Sequence, residues 1–321
     1  MKLHGYLVFI STVLFAKLVL GAPNENGVWL SDHEPNLVGY TYDDDDKEPF
    51  LDFKISLEYP LARESLNGLV GKPWFPNTIK SLCNNKWLTD CYPYFAFTGR
   101  FGQYIGQRDS SPVIAKRFNP KLFLRFRGRG DDYLDVEYAH ESNGQRISTQ
   151  ESYDALADDL ASHGGGKRSH ANDYISRGWD YVGLTYKHSW SSAAGGSRKF
   201  STYVSYRNYI DGYLQGDIEE YFDWEPRRDI TARKEVSGFQ VIAKLHDKQQ
   251  PLFLNINKVA LIYETGTSAP AEHNTVMLEL TTNSIGVPIM FWARTGYNSD
   301  LAQYYEYVTS YGIAFELRTF Q

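Results

Sequence analysis

The chain closes with the stretch YGIAFELR, residues 311–318, in which every second residue is large and apolar up to Leu317. Glycine, alanine, glutamate and arginine fill the positions between, so one face of this predicted strand is apolar and the other is small or charged. The same period of two recurs in FKISLEY at 53–59, KLFLRFR at 121–127 and LDVEY at 134–138. Similar stretches follow near residues 182–186, 239–245, 276–280 and 289–293. The pattern predicts an all-β protein.

Two architectures fit alternating strands: a soluble sandwich with an apolar core, and a transmembrane antiparallel β-barrel with an apolar outer face. The positions between the apolar residues carry both signs of charge, which a polar lumen explains: Lys54, Glu58, Arg125, Arg127, Asp135, Glu137, Lys244, Glu279, Arg294, Glu316 and Arg318. The 24 tyrosines and an aromatic content of 15% are typical of the girdles at two membrane interfaces. We therefore favour the barrel, and the sandwich stays open as the alternative.

Composition and the start of the chain indicate an exported protein. The net charge of −6 argues against a nucleic-acid partner, because binding would require the neutralisation of phosphates. The apolar run GYLVFISTVLFA, residues 5–16, is too short to span a bilayer and is followed by small residues. This predicts a signal peptide over residues 1–21, with an N-terminal anchor as the alternative. A polar segment, 22–50, and a barrel domain, 51–321, follow.

Two cysteines and one helical pattern complete the organisation. Cys83 and Cys91 enclose NNKWLTD, a spacing that a small loop can close, so we expect a disulfide in an oxidising compartment. Helical periodicity occurs at Glu151–Ser162, within the long segment that follows residue 144.

A serine, a histidine and an aspartate interrupt the apolar face of two predicted strands. His140 and Ser142 share the parity of Tyr138, and Asp180 shares the parity of Val182 in the next strand. A polar group that faces lipid is costly unless it is paired. Paired together, the three form the nucleophile, general base and orienting acid of acyl-transfer hydrolysis. The alternative is that His140 and Ser142 lie at the headgroup level and face water.

From about His33 to its end, the chain resembles the outer-membrane phospholipase A family of Gram-negative bacteria. The resemblance is carried by FKISLEYPL at 53–61, the four residues Asp109–Pro112, FNPKLFL at 118–124, YAHESNG at 138–144 and SRGWD at 176–180. It implies a twelve-stranded outer-membrane barrel, made with a cleaved signal peptide, that hydrolyses phospholipid acyl esters on its outer wall. It also implies dependence on Ca²⁺ and activity as a homodimer.

Carried over residue by residue, the resemblance makes Ser142 the nucleophile, His140 the general base and Asp180 the residue that orients the histidine. Some family members have asparagine at this third position. The implied calcium ligands are the hydroxyl of Ser176, the main-chain carbonyl of Gln145 and the carbonyl of Ser110 supplied by the second subunit. Oxygen ligands of this kind suit a hard cation.

The sequence also departs from the family pattern. The segment from residue 145 to residue 175 is long, and we weigh a gate, a lipopolysaccharide-binding loop and an inert insertion. The chain ends in Gln321, so Phe320 would have to serve as the terminal aromatic in barrel assembly. A catalytically silent pore or surface-binding barrel and a secreted carbohydrate-binding sandwich remain alternative functions.

Overall fold

The computed structural model describes residues 30–44, 48–62, 83, 90–163, 166–191, 197–210, 221–247, 252, 255–283 and 286–317. The predicted signal peptide over residues 1–21 lies outside the described residues, as do Phe320 and Gln321.

Twelve strands form one closed antiparallel barrel. A two-residue strand, β1 (Ser31–Asp32), pairs with Leu57 and Glu58 near the C-terminal end of β3. The barrel strands are β2 (Asn36–Asp43), β3 (Pro49–Pro60), β4 (Asp90–Gln103), β5 (Val113–Arg127), β6 (Tyr133–Ser142), β7 (Gly178–Ser191), β8 (Arg198–Ile210), β9 (Gly238–Asp247), β10 (Ile256–Gly266), β11 (Thr275–Thr282), β12 (Ile289–Gly296) and β13 (Val308–Leu317). Each pairs with its neighbours along the chain, and β13 pairs with β2 to close the ring. The predicted twelve-stranded barrel is confirmed.

Side-chain parity follows the sequence prediction. The apolar residues of the alternating stretches face outward and are exposed, among them Ile55, Leu122, Val136, Leu278, Ile313 and Phe315. The charged residues face the lumen, where Arg125 makes a two-bond contact of 2.9 Å with Asp135 and a 3.1 Å bond to Glu58. Lys54, Lys244, Glu279 and Arg294 line an interior cavity of about 420 Å³. The barrel therefore has an apolar outer wall and a polar, two-signed interior.

The barrel begins earlier in the chain than the predicted boundary at residue 51. Strand β2 lies within the segment that the sequence marked as polar, and it supplies the closing contact with β13. Gly39 permits this contact, because a Cβ at that position would lie 2.1 Å from the main-chain oxygen of Ile313. The acidic run begins where β2 ends, and Asp44 accepts a 2.8 Å hydrogen bond from the amide of Thr309. The polar segment thus contributes one wall strand and an inter-strand loop.

Three short helices lie in the described connections between strands. The first, α1 (Gln150–Ser162), confirms the predicted helix and begins one residue earlier than predicted. The side chain of Thr149 caps it by accepting a hydrogen bond from the amide of Ser152. A 3₁₀ helix covers Arg168–Tyr174, and α2 covers Arg233–Val236. No helix in the described part of the chain has the length and apolarity needed to cross a membrane.

The predicted disulfide is present in the structure. Cys83 and Cys91 are bonded, their Cα atoms are 5.5 Å apart, and both are buried. Cys91 lies at the start of β4, so the bond ties the β3–β4 connection to the barrel wall.

Connections at one end of the barrel pack together into a cap. One buried cluster is formed by Trp179, Ile230, Val236, Leu301 and Tyr304, and a second, which also contacts α1, is formed by Ile147, Ile175 and Phe222.

A buried ion pair lies between the two clusters. Arg177 donates two hydrogen bonds to Glu225, at 2.8 and 2.7 Å, and both side chains are buried. Burial opposes the charge of Arg177, but its bonds to Glu225 outweigh burial and raise the pKa of the guanidinium. The long segment that begins at residue 145 is therefore a packed part of the cap.

Candidate active site on the outer wall of the barrel

The register of β6 and β7 brings the predicted catalytic side chains to one face. His140 pairs with Asp180, and Ser142 pairs with Gly178 in the same antiparallel ladder. Ser142 and His140 are two residues apart on one strand face, a separation of about 7 Å along the strand. All three polar residues therefore share the outer wall near the cap end of the barrel.

His140 and Asp180 are hydrogen-bonded. The distance from Nδ1 of His140 to Oδ1 of Asp180 is 2.7 Å. The aspartate side chain is fully buried, whereas 18% of the histidine side chain is exposed. An ionised aspartate fixes the tautomer in which Nδ1 carries the proton. This leaves Nε2 as the ring nitrogen that can accept a proton.

Contacts inside the barrel hold the backbone of these strands. Asn119 donates a 3.0 Å hydrogen bond to the main-chain oxygen of His140 and accepts one of 3.1 Å from the Tyr181 hydroxyl. Glu141, which lies between His140 and Ser142 but faces the lumen, binds Arg233 at 2.9 Å. The interior network therefore fixes the strand positions from which the outward side chains project.

Asn143 connects the end of β6 to the start of β7. Its side chain donates to the main-chain oxygen of Ile175 at 2.7 Å and accepts from the amides of Gln145 at 3.1 Å and Arg177 at 3.0 Å. Its own amide donates to the oxygen of Arg177 at 3.1 Å. One buried residue therefore satisfies four backbone groups directly after the predicted nucleophile.

Gly144 makes the turn after Asn143 possible. Its φ is +60°, and a Cβ there would lie 3.1 Å from the ring of Phe118. Both the left-handed backbone and the ring contact favour glycine over any other residue.

Two of the predicted calcium ligands lie on segments that contact each other. The amide of Ser176 donates to the oxygen of Ile147 at 2.8 Å, and Gln145 is held beside Arg177 by Asn143. The Ser176 hydroxyl and the carbonyl of Gln145 form no hydrogen bond within the described part of the chain. Two uncommitted oxygens on adjacent segments fit a hard cation. The described residues hold no cluster of three metal-binding acidic, histidine or cysteine side chains, and the predicted ligand set needs none.

The third predicted ligand, Ser110, is exposed in the β4–β5 connection at the same end of the barrel. Its φ is +64°, and that of Ser111 is +45°. Arg108 anchors this loop by bonds of 2.7 Å to Glu48 and 2.6 Å to Asp173. Burial opposes ionisation of Glu48, but the hydrogen bond and charge of Arg108 outweigh it and lower the pKa of this carboxyl.

An apolar groove of about 500 Å³ borders the site on the outer wall. Leu122, Val136, Tyr138 and Val182 line it, all on the outer faces of β5, β6 and β7. The groove shares Tyr138 with the strand segment that leads to His140. The exposed surface of the groove is almost entirely apolar.

Sequence reasoning missed residues that act through long-range contacts. Asn143 belongs to the motif YAHESNG, and its position between the end of a strand and a glycine could have indicated that its side chain stabilises a turn. Glu225 lies far along the chain from Arg177, so only the folded structure shows their pairing. The Tyr138 hydroxyl was not singled out, because tyrosine on an outer wall is expected from composition alone.

Solved structures with a similar fold include outer-membrane phospholipases. Outer membrane phospholipase A from Escherichia coli aligns with a TM-score of 0.58 and 17% identity, over 95% of this chain and 98% of that one. An active-site mutant of the same enzyme aligns over the same shares, with a TM-score of 0.57 and 17% identity. The Salmonella typhi outer membrane phospholipase, a dimer with bound calcium, aligns with a TM-score of 0.57 and 16% identity over the same shares.

No protein-family description matches the chain, and no curated protein matches it. At these identities the structural likeness is a likeness of fold. The resemblance that the sequence motifs indicate is confirmed at that level: this chain has the twelve-stranded barrel fold of the outer-membrane phospholipase A structures.

Proposed function

We propose that this protein is a calcium-dependent phospholipase A of the bacterial outer membrane. The observation that carries the proposal is the 2.7 Å bond between His140 and Asp180, on the apolar outer wall and on the same strand face as Ser142. A paired His and Asp beside a serine is the arrangement that activates a hydroxyl nucleophile. A barrel wall that faces lipid does not need a histidine–aspartate pair beside a serine for its stability.

The chemistry assigned to the three residues is acyl transfer to water. Ser142 Oγ attacks the ester carbonyl carbon while Nε2 of His140 accepts the hydroxyl proton. The carbon–oxygen bond to the glycerol breaks, His140 returns the proton to that oxygen, and an acyl-serine ester remains. Water then attacks this ester with His140 again as the base, which releases the fatty acid and restores Ser142. Asp180 stabilises the imidazolium that forms in both halves.

The site's location favours a membrane lipid as substrate. Ser142 and His140 face outward from the barrel, where the neighbouring side chains are apolar and exposed. The groove lined by Leu122, Val136 and Val182 has a volume of about 500 Å³ and an apolar surface, which suits an acyl chain. A phospholipid already in the bilayer could therefore place its ester beside Ser142 while its tails stay in an apolar setting.

Calcium and a second subunit complete the proposal. Ser176 and Gln145 would hold the cation through the two uncommitted oxygens, and Ser110 of a second copy would add its carbonyl. The bound cation supplies positive charge that stabilises the oxygen anion formed from the ester carbonyl. The Salmonella structure with the same fold is a dimer with calcium, which supports a homodimeric active form here.

Release of fatty acid from phosphatidylcholine in detergent micelles tests the function. We expect activity from the unaltered protein with Ca²⁺, and no activity above background from Ser142→Ala or after chelation. Ser191→Ala, at the far end of β7, is the matched control and should retain full activity. Equal release by Ser142→Ala would overturn the nucleophile, and release that is indifferent to chelation would overturn the metal site. No release by the unaltered protein would indicate a catalytically silent barrel.

A further inference from the structure

The hydroxyl of Tyr138 is buried and has no conventional hydrogen-bond partner among the described residues. A buried, unpaired hydroxyl is costly, so its position calls for a physical reason. Tyr138 lies on the outer face of β6, two residues before His140, and pairs with Val182 of β7. It is therefore the diagonal neighbour of Asp180 in the β6–β7 ladder, a position from which a long side chain can reach that carboxylate.

Asp180 needs more than one donor. Its side chain is fully buried on a wall that faces lipid, and His140 occupies one carboxylate oxygen. An ionised carboxylate offers about four acceptor sites. When His140 is neutral between proton transfers, the negative charge of Asp180 has no counterion in the pair. A hydroxyl donor beside it is the least disruptive stabiliser on an apolar wall.

The positions directly opposite His140 and Asp180 on the two flanking strands carry no titratable side chain. Across β5 the register places Pro120 opposite His140, and across β8 Ile210 lies opposite Asp180. The charged neighbours of these strands, Glu141 and Lys121, face the lumen and are paired there with Arg233 and Glu137. Asn208 of β8, opposite Val182, is also diagonal to Asp180, but its side chain is exposed. Tyr138 therefore supplies the buried hydroxyl beside the buried Asp180 carboxylate.

We propose that Tyr138 is a positioning residue of the active site. Its hydroxyl donates a hydrogen bond to the Asp180 carboxylate, which keeps that carboxylate ionised and oriented toward Nδ1 of His140. This rests on the proposed function for its catalytic consequence, but not for the hydrogen bond itself. It also gives aspartate a stabilising partner at a position where some family members carry an uncharged amide.

Tyr138→Phe removes only the hydroxyl and keeps the ring in the wall. We expect kcat to fall about tenfold with KM unchanged, because a hydrogen bond to a charged group is lost while the substrate groove is kept. The acidic limb of the pH–rate profile should move to higher pH, because Asp180 then presents more negative charge to the protonated ring of His140. Tyr186→Phe, on the outer face of β7 and away from the site, is the control and should change neither quantity.

A merely structural tyrosine would not move the pH limb. An unchanged limb and kcat in a folded Tyr138→Phe barrel would overturn the proposal, as would an equal change in Tyr186→Phe. In an Asp180→Asn background, Tyr138→Phe should leave the acidic limb in place, because the side chain through which Tyr138 acts no longer carries a charge. A limb that still moves in that background would also refute the proposal.

A readout without catalysis separates this inference from the proposed function. In Ser142→Ala protein in detergent, the nuclear magnetic resonance signals of the His140 ring can be followed against pH. Adding Tyr138→Phe should move the midpoint of that ring titration up by about half a pH unit, since Asp180 then presents more negative charge to the imidazolium. An unmoved midpoint refutes the Tyr138 assignment whether or not the protein hydrolyses lipid. If the midpoint of the His140 titration moves but the unaltered protein hydrolyses no lipid, only the proposed phospholipase function is refuted.

Discussion

Asp180 stands at a position where some members of the family that the sequence motifs resemble have asparagine, and its side chain is fully buried. A carboxylate stabilises the imidazolium by its charge, whereas the carbonyl oxygen of an amide can only accept a hydrogen bond from Nδ1–H. The 2.7 Å contact is short enough for either. We therefore expect either aspartate or asparagine at position 180 to orient His140, but we expect slower ester hydrolysis with asparagine.

We expect Asp180→Asn, which loses the charge, to lower kcat about tenfold, and Asp180→Ala, which also loses the hydrogen bond, to lower it about a hundredfold, since a hydrogen bond to a charged group contributes about 1.5–3 kcal/mol. The measurement is fatty-acid release at saturating lipid with both variants in parallel. Equal losses for the two would show that the hydrogen bond from His140 contributes nothing to orientation, and the pair would then be structural.

Gly144→Ala should disturb the segment after the nucleophile. The substitution puts a side chain at a φ of +60° and 3.1 Å from the ring of Phe118, so we expect a cost of about 1–2 kcal/mol in the free energy of unfolding. Guanidinium unfolding in detergent measures it. Gly130→Ala, also at a positive φ but with no atom within 4 Å, is the control for backbone strain alone and should cost less.

At the residue scale, parity was sufficient to assign the proposed catalytic side chains to one face. A strand period of two fixes the face on which His140, Ser142 and Asp180 lie, and both strands were recognisable. Parity could not align β6 with β7, so the pairing of His140 with Asp180 needed the structure. The oxygens assigned to calcium came from the family resemblance alone, because turn serines and main-chain carbonyls have no sequence signal.

At the element scale, the prediction succeeded where one strand face is apolar and the other polar. Strand β4 was not recognised because Tyr94 and Ala96 face inward and are buried, whereas Phe95 and Phe97 face outward. Strand β10 has a nearly continuous apolar run, with Ala260 buried inside and Leu261 exposed outside. Without alternation, a strand cannot be distinguished from a buried helix segment.

The cap depends on the buried pair of Arg177 and Glu225. Glu225→Gln leaves the guanidinium charge without a counterion, so we expect unfolding to become easier by about 3 kcal/mol. The exposed pair of Arg228 and Glu306 provides the comparison, and Glu306→Gln should cost about 0.5 kcal/mol. Guanidinium unfolding followed by tryptophan fluorescence measures both. Similar costs for the two variants would contradict the structural role assigned to the buried pair.

The β4–β5 loop should loosen in acid. Because the pKa of Glu48 is lowered, its bond to Arg108 contributes stability fully above about pH 4.5, and this is lost as the pH falls through the lowered value. We expect faster hydrogen exchange of residues 104–112 below about pH 4, after correction for the intrinsic rate. Glu48→Gln should exchange faster already at neutral pH and lose the acid dependence. A loop equally protected at both pH values would contradict the anchoring role.

For the whole molecule, mean hydropathy and barrel architecture are compatible. The mean hydropathy of −0.45 suggests a soluble protein, but every second residue of a barrel strand faces a polar lumen. The mean hydropathy of the chain therefore does not show the apolar outer wall, whereas the alternation of apolar and polar residues along each strand does. The aromatic excess was the better indicator, since Tyr40, Tyr186, Tyr206 and Tyr311 are all exposed on the outside of the barrel.

The central claim is that a serine on the outer wall of this barrel is an activated nucleophile. Intact-mass measurement after treatment with a long-chain alkyl phosphonofluoridate in detergent and Ca²⁺ tests it most directly. The account predicts one covalent adduct per chain, located at Ser142, and none on Ser142→Ala or His140→Ala. An adduct at another residue, or equal labelling of the His140→Ala variant, would contradict it.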